Sequence, residues 1–260
     1  MTTAGAGPIV PTAWLPAPTA CALGPDDVHV WRVPLAQPLP VVEALARLLA
    51  EDERDRAARF HFERHRVAFT VARGALRTLA ARYLGHAPER LVFGYRDRGK
   101  PHLVAPVGDD LRFNVSHSGD VGLVCFARSR EVGIDVEQKR TLQDLLALAR
   151  TSFSAHELAA LCRLAPAEHH DAFFACWSRK EAFIKATGEG IAQLAAFDVS
   201  LAPGEPARLL RVPDEPRGPR WSLHDLPPIP GCAAALVIDG LAPAIACWDC
   251  PDTIYTPYTE

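Results

Sequence analysis

No run of about 18 apolar residues occurs in this 260-residue chain, which excludes a membrane-spanning helix. Charge of one sign is not in excess either. The 28 Lys and Arg against 31 Asp and Glu give a net charge of −3 and a pI near 6.4, so there is no global field to gather nucleic acid. Any phosphate must therefore be met by local basic residues. The opening MTTAGAGPIVPTAWLPAPTA has no basic n-region and is broken by proline, so it is neither a secretory signal nor an amphipathic transit peptide. Residues 1–24 are read as a flexible leader, and the protein is expected in the cytoplasm as a monomer. The seven cysteines are an odd number and scattered. Cys125, Cys176 and Cys232 sit in apolar runs and read as small core residues of a reducing compartment. Cys247 and Cys250 have redox or zinc spacing but lack a second such pair and lie beside Pro251, so they are read as structural.

What the chain does have is ample material for a core, with 48% hydrophobic residues. VHVWRV (28–33) alternates as a strand does and ends at Pro34. Helical spacing follows from Val41 through Leu84, with Gly85 as a stop, and Arg73 and Arg77 form an i,i+4 pair within it. Gly94 to Lys100 spells G-x-x-x-x-G-K, but Pro101 replaces the hydroxyl residue that a P-loop needs, and HLV continues as a strand. LRFNVSHSGDVGLVCFA reads as a hairpin turning at SHSGD, VGIDVE as another strand, and Ser154 with Glu157 as a capping box that starts a helix.

The stretch FFACWSRKEAFIKATGEGI (173–191) is an apolar helix with Lys180 and Glu181 on or beside its buried stripe. Phe69-x3-Arg73-x3-Arg77 corresponds to Phe173-x3-Trp177-x3-Glu181, and RFNVSHSGDVGLVCFA has the outline of RWSLHDLPPIPGCAAALVID. An internal repeat of about a hundred residues predicts an α+β pseudo-dimer: two similar halves, mainly antiparallel sheets and a cleft between them. The halves are placed at 25–128 and 129–250, with a tail at 251–260.

Three polar segments interrupt apolar runs. Asp135 and Glu137, two apart on a strand, project together, and such paired carboxylates gain from a hard cation such as Mg²⁺. Glu181 supplies a third. Ser116, His117 and Ser118 bring hydroxyls and an imidazole to one turn, and Lys100, Lys180 and Lys185 add positive charge. The paired arginines Arg73 and Arg77 are by default a solvated face, or part of a phosphate cradle. Carboxylates, cations and donors together describe a magnesium phosphate site and displacement at phosphorus.

Gly99–Pro101 (GKP), FNVSHSGD (113–120), GIDVE (133–137), FS-x-x-E (153–157) and W-S-x-K-E-A-x-x-K-x-x-G-x-G (177–190) resemble, in order and spacing, the 4'-phosphopantetheinyl transferases of the Sfp type. The resemblance runs from about Arg54 to Leu201 and is carried by separate motifs that agree. It implies a pseudo-dimer in which coenzyme A donates phosphopantetheine to a serine hydroxyl of an acyl or peptidyl carrier protein, leaving adenosine 3',5'-bisphosphate. It also implies Mg²⁺ on Asp135, Glu137 and Glu181, with Glu181 as base for the carrier serine and Lys185 stabilising the pyrophosphate. Lys100 and His117 would contact coenzyme A phosphates, Ser116 would shape that pocket, and the carrier would dock near Lys139 to Phe153. Two other readings stay open. A non-catalytic carrier- or nucleotide-binding module would not need three carboxylates and Lys185 in register; a magnesium-dependent phosphohydrolase would cleave without any carrier.

Overall fold

Strand β1 (Asp27–Pro34) opens the fold, and helices α1 (Leu39–Leu48), α2 (Glu51–Ala58) and α3 (Glu63–Leu84) follow it. The computed structural model describes residues 11–96, 99–105, 110–212, 220–241 and 243–255. Gly85 ends α3 in the left-handed region (φ 66°), where a glycine pays no steric cost, and its N–H bonds the Ala81 carbonyl at 2.8 Å. The G-x-x-x-x-G-K stretch lies on a hairpin, β2 (Val92–Tyr95) and β3 (Pro101–Ala105), not on a phosphate loop leading into a helix.

Strands β4 (Leu111–Ser118) and β5 (Val121–Arg128) form a second hairpin, and β6 (Val132–Gln138) comes next. The β4–β5 turn needs only Gly119 and Asp120, since Ser118 already pairs with Val121. His117, expected in the turn, is therefore a strand residue. Helices α4 (Leu145–Ser152) and α5 (Ala155–Arg163) precede α6 (His169–Thr187). The capping box of α5 is present, Ser154 and Glu157 exchanging bonds of 3.1 and 2.8 Å with each other's backbone N–H. Short strands β7 (Asp198–Val199) and β8 (Leu209–Arg211), then β9 (Trp221–Asp225), β10 (Cys232–Asp239) and β11 (Ala244–Asp249), complete the order. No described helix is long and apolar enough to cross a membrane.

The two halves share one topology. In the first, β1, α3 and the β4–β5 hairpin give the sheet order β1-β5-β4; in the second, β6, α6 and the β9–β10 hairpin give β6-β10-β9. All four of these pairings are antiparallel. The expected α+β architecture of two similar halves is thus the one observed. Helix α3 buries Val71, Ala75, Leu76 and Leu79 against the first sheet, and α6 buries Phe173, Cys176, Ala182 and Phe183 against the second. A third apolar cluster, with Val30, Leu123, Ile134, Leu236 and Cys247, joins the two sheets.

The last strand does not stay with its own half. β11 pairs in parallel with β1 and becomes the edge of the first sheet. The expected leader is also engaged over its described part. Leu15 bridges to Trp248 and Trp14 donates to the Pro227 carbonyl at 3.2 Å, while residues 1–10 lie outside the described residues. In the tail, Ile254 is buried against the α3 core. Cys247 and Cys250 are both buried.

Two details bring the halves together where the polar segments lie. Strands β4 and β6 run side by side without a backbone ladder. Instead Asn114 Oδ1, Ser116 Oγ and Ser118 Oγ accept the backbone N–H groups of Ile134, Val136 and Gln138 at 3.0, 3.3 and 3.0 Å. The N-x-S-x-S alternation is therefore a seam of side-chain oxygens that satisfies the free edge of β6. On the other side of β6, a Cβ at Gly133 would stand 2.1 Å from the Ala182 carbonyl oxygen and 2.3 Å from the Ala186 nitrogen. Only glycine lets α6 lie this close to the strand.

Candidate active site

A cleft of about 350 Å³ opens between the halves. Arg56, Phe69 and Arg73 wall it from α2 and α3, Val115 and His117 from β4, Lys100 from the β2–β3 hairpin, and Lys185, Gly188 and Gly190 from the end of α6. Its charged lining is basic. Desolvation, followed by the positive charges of Lys185, Arg56 and His65, lowers the His117 imidazole below its ordinary value.

Lys185 belongs both to this wall and to the seam behind it. Its ammonium donates to Asp135 Oδ1 at 2.6 Å and to Ser116 Oγ at 2.8 Å, and Ser116 in turn donates to Asp135 Oδ1 at 2.8 Å. Asp135 is 2% exposed, and its second oxygen, Oδ2, is buried with no hydrogen-bond partner. Ser118 holds the next carboxylate, donating to Glu137 Oε2 at 3.2 Å. Desolvation and the Asp135 charge push the Glu137 carboxyl above the ordinary range. Glu181, one turn before Lys185 on α6, is raised by desolvation and then by Asp135, with Glu137 adding to the effect and Lys185 opposing it.

Asp135, Glu137 and Glu181 therefore share a field, Asp135 raising both of the others. Among the described residues no three His, Cys, Asp or Glu side chains close into a metal-binding cluster. The Lys185 ammonium occupies Asp135 Oδ1 and leaves Oδ2 open. The unpartnered Oδ2 and the mutual repulsion of the carboxylates are nonetheless what a hard, oxygen-seeking cation relieves.

Two expected ligand contacts lie elsewhere. Lys180 is fully buried and donates to both Glu157 oxygens and the Phe197 carbonyl, all at 2.7 Å. Glu157 also accepts the Val199 N–H at 2.8 Å, so the pair ties α5, α6 and the chain entering β7 together. Desolvation on this scale needs such partners, and Lys180 has no hydrogen left to offer a phosphate. Arg77 is likewise interior: it donates to Glu53 at 2.6 Å and to the Pro88 and Leu91 carbonyls at 2.9 Å. It is neither a solvated face nor part of a cradle. Arg73 does line the cleft, held by Glu53 and by the Tyr95 hydroxyl at 3.3 Å. Lys100 lines it too, with its own bonds directed backwards to Glu131, Val132 and Ala186.

Arg56, Tyr95, Asn114 and Glu131 were not singled out from the sequence. Asn114 and Ser118 had a signal, the alternation within FNVSHSGD. Arg56 had none, because its place beside the Phe69 and Tyr95 rings depends on tertiary packing.

The family model described as the 4'-phosphopantetheinyl transferase superfamily matches residues 131–237, and that described as 4'-phosphopantetheinyl transferase, N-terminal, matches residues 37–129. The chain is 41% identical over 228 residues to the 4'-phosphopantetheinyl transferase HetI of Nostoc sp., covering 87% of this chain and 94% of HetI. It is 31% identical over 177 residues to a 4'-phosphopantetheinyl transferase of Bacillus subtilis, covering 67% and 77% of the two chains. To the 4'-phosphopantetheinyl transferase Sfp of Bacillus subtilis it is 29% identical over 160 residues, covering 61% and 69%. With both halves matched and HetI aligned over nearly its full length, the chain belongs to the 4'-phosphopantetheinyl transferase superfamily.

Proposed function

We propose that this chain moves the 4'-phosphopantetheine arm of coenzyme A to a serine hydroxyl of an acyl or peptidyl carrier protein. The reaction is magnesium-dependent, of the Sfp type, and leaves adenosine 3',5'-bisphosphate. The observation that carries this reading is the position of Lys185, which stands on the wall of the basic cleft and on the Asp135 carboxylate behind it. A pyrophosphate entering the cleft meets a cation that is already anchored.

Asp135, Glu137 and Glu181 would hold the magnesium ion, and the free Asp135 Oδ2 supports that assignment. An ion held there would supply charge neutralisation to the pyrophosphate. Glu181, whose carboxyl is raised from its ordinary value by desolvation and by Asp135, accepts the proton of the carrier serine. Lys185 and Arg73 balance the pyrophosphate, His117 contributes to coenzyme A binding, and Lys100, whose hydrogens are engaged behind the cleft wall, contributes through its charge. Ser116 fixes the Lys185 and Asp135 side chains relative to each other. The carrier supplies the nucleophile, so no Ser or Cys of this chain need react. Its docking face is assigned to Lys139–Phe153, where Leu148 of α4 is 43% exposed. The reading carries with it a cytoplasmic monomer.

The test is intact-protein mass spectrometry of apo acyl and peptidyl carriers incubated with this protein, coenzyme A and Mg²⁺, with an EDTA control. A metal-dependent gain of one phosphopantetheine is expected. Coenzyme A bound but never transferred would point to a non-catalytic module, and coenzyme A cleaved without transfer to a hydrolase.

A further inference from the structure

Glu131 lies just before β6 and outside the motifs that carry the family resemblance. The Lys100 ammonium sends its three hydrogens to Glu131 Oε2 at 2.8 Å, the Ala186 carbonyl at 3.0 Å and the Val132 carbonyl at 3.2 Å. These acceptors belong to the chain entering β6 and to the last turn of α6, so Lys100 stands where both meet the back of the cleft. Glu131 is shared: its Oε1 accepts Arg96 Nη2 at 3.0 Å and lies 3.8 Å from Arg112 Nε. Three cations thus surround one carboxylate. Arg96 and Arg112 have side chains 49% and 40% exposed and keep much of their hydration, whereas that of Lys100 is 10% exposed. Lys100 is the cation that cannot do without Glu131.

We propose that Glu131 is a positioning residue, whose carboxylate holds the Lys100 ammonium against the wall of the cleft and so sustains the field that a phosphate-bearing ligand meets there. The inference rests on the coenzyme A reading for the identity of that ligand, but not for the arrangement. The two carbonyls are neutral and cannot replace the charge. Desolvation lowers the Lys100 ammonium from its ordinary value, Glu131 works against that, and Arg96 adds to the lowering while Cys125 from β5 opposes it. Arg73, His117 and Lys185 face the same cleft and bring no counter-charge to Lys100.

Two measurements on the full chain test this. In protein carrying isotope-labelled lysine, NMR titration of the Lys100 side chain should give a lower midpoint in Glu131→Gln than in wild type, without any ligand. Calorimetric titration with coenzyme A should show Glu131→Gln binding about tenfold more weakly at alkaline pH, with a smaller loss near neutrality. Glu131→Asp, which keeps the charge on a shorter arm, should fall between. Adding Glu131→Gln to Lys100→Met should cost nothing beyond Lys100→Met alone. A Glu131→Gln protein with lowered thermal stability but an unmoved Lys100 titration and unchanged affinity would overturn the proposal. So would losses that add in the double variant. Wild-type protein that binds no coenzyme A would sink the transferase reading, and the Lys100 titration would still decide for or against Glu131.

Discussion

The Lys185 ammonium lies 2.6 Å from Asp135 Oδ1, and both groups share the hydroxyl of Ser116. The most deeply buried carboxylate of the site is therefore balanced by a cation of the chain itself. A divalent ion must compete with that ammonium for Asp135, and a pyrophosphate that draws Lys185 toward the cleft would remove the competitor. Metal and coenzyme A should accordingly favour each other's binding. Lys185→Met is expected to bind Mn²⁺ about tenfold more tightly than wild type when coenzyme A is absent, and to lose the gain in Mn²⁺ affinity that coenzyme A brings. Electron paramagnetic resonance of free Mn²⁺ measures both. Weaker Mn²⁺ binding in the variant would show that Lys185 supports the cation site instead of competing with it.

Glu137 and Glu181 predict a pH dependence of stability in the ligand-free protein. Both carboxyls are raised by desolvation and by Asp135, so each binds a proton more tightly in the folded than in the unfolded chain. The stability they contribute is present at low pH and is lost as pH rises through their raised values. Glu181→Gln should flatten that decline, which thermal denaturation across the acid-to-neutral range would reveal. A divalent cation should flatten it too, by taking the place of the protons. An identical slope in the variant would mean that folding does not raise the Glu181 carboxyl.

Much of the site could be read from the sequence because its spacing is local. Asp135 and Glu137 are two apart on a strand, and Glu181 and Lys185 four apart on a helix, so each pair shares a face whatever the tertiary structure. The five-residue step from Lys180 to Lys185 instead turns about 140° around the helix axis, which sends one lysine to the β4–β6 seam and the other into the core beside α5. Glu131, Glu53 and Arg56 could not be read, because their partners arrive from other elements: Lys100 on the β2–β3 hairpin, Arg73 and Arg77 on α3, and the rings of Phe69 and Tyr95. The matching of α3 with α6 and of the β4–β5 with the β9–β10 hairpin follows from the repeat. The crossing of β11 to β1 has no counterpart in the repeat, and the last twenty residues carry no clear core pattern that would have marked β11 as a strand.

Lys180→Met should act on stability and not on coenzyme A. It leaves Glu157 charged, with the Ser154 and Val199 N–H groups and the Cys176 thiol as its remaining donors, inside a fully buried site. Breaking a buried pair from one side costs about 3–5 kcal/mol, and removing both charges costs much less. Denaturant unfolding should therefore find Lys180→Met/Glu157→Gln more stable than Lys180→Met. Coenzyme A affinity of whichever variant folds should match wild type. A selective loss of that affinity would return Lys180 to the ligand site.

The contact of α6 with β6 at Gly133 sets the whole arrangement. A methyl group at Gly133 would meet backbone atoms of α6 at 2.1 and 2.3 Å, and backbone cannot rotate aside. At Gly122 the nearest atom is Leu35 Cδ2, the far end of a flexible side chain, at 3.1 Å. Gly133→Ala should therefore cost about 3 kcal/mol or more and Gly122→Ala less than about 1 kcal/mol, although both add one carbon to a strand. If Gly133→Ala folds, it can do so only by lifting α6 from β6. That movement carries Lys185 and Glu181 away from Asp135, while the α3 side of the cleft stays in place. Turnover should then fall further than coenzyme A affinity, which steady-state kinetics and calorimetry on the same protein would separate. Equal melting temperatures for the two variants would mean that α6 does not sit on β6 through Gly133, and the juxtaposition of the carboxylates with Lys185 would need another cause.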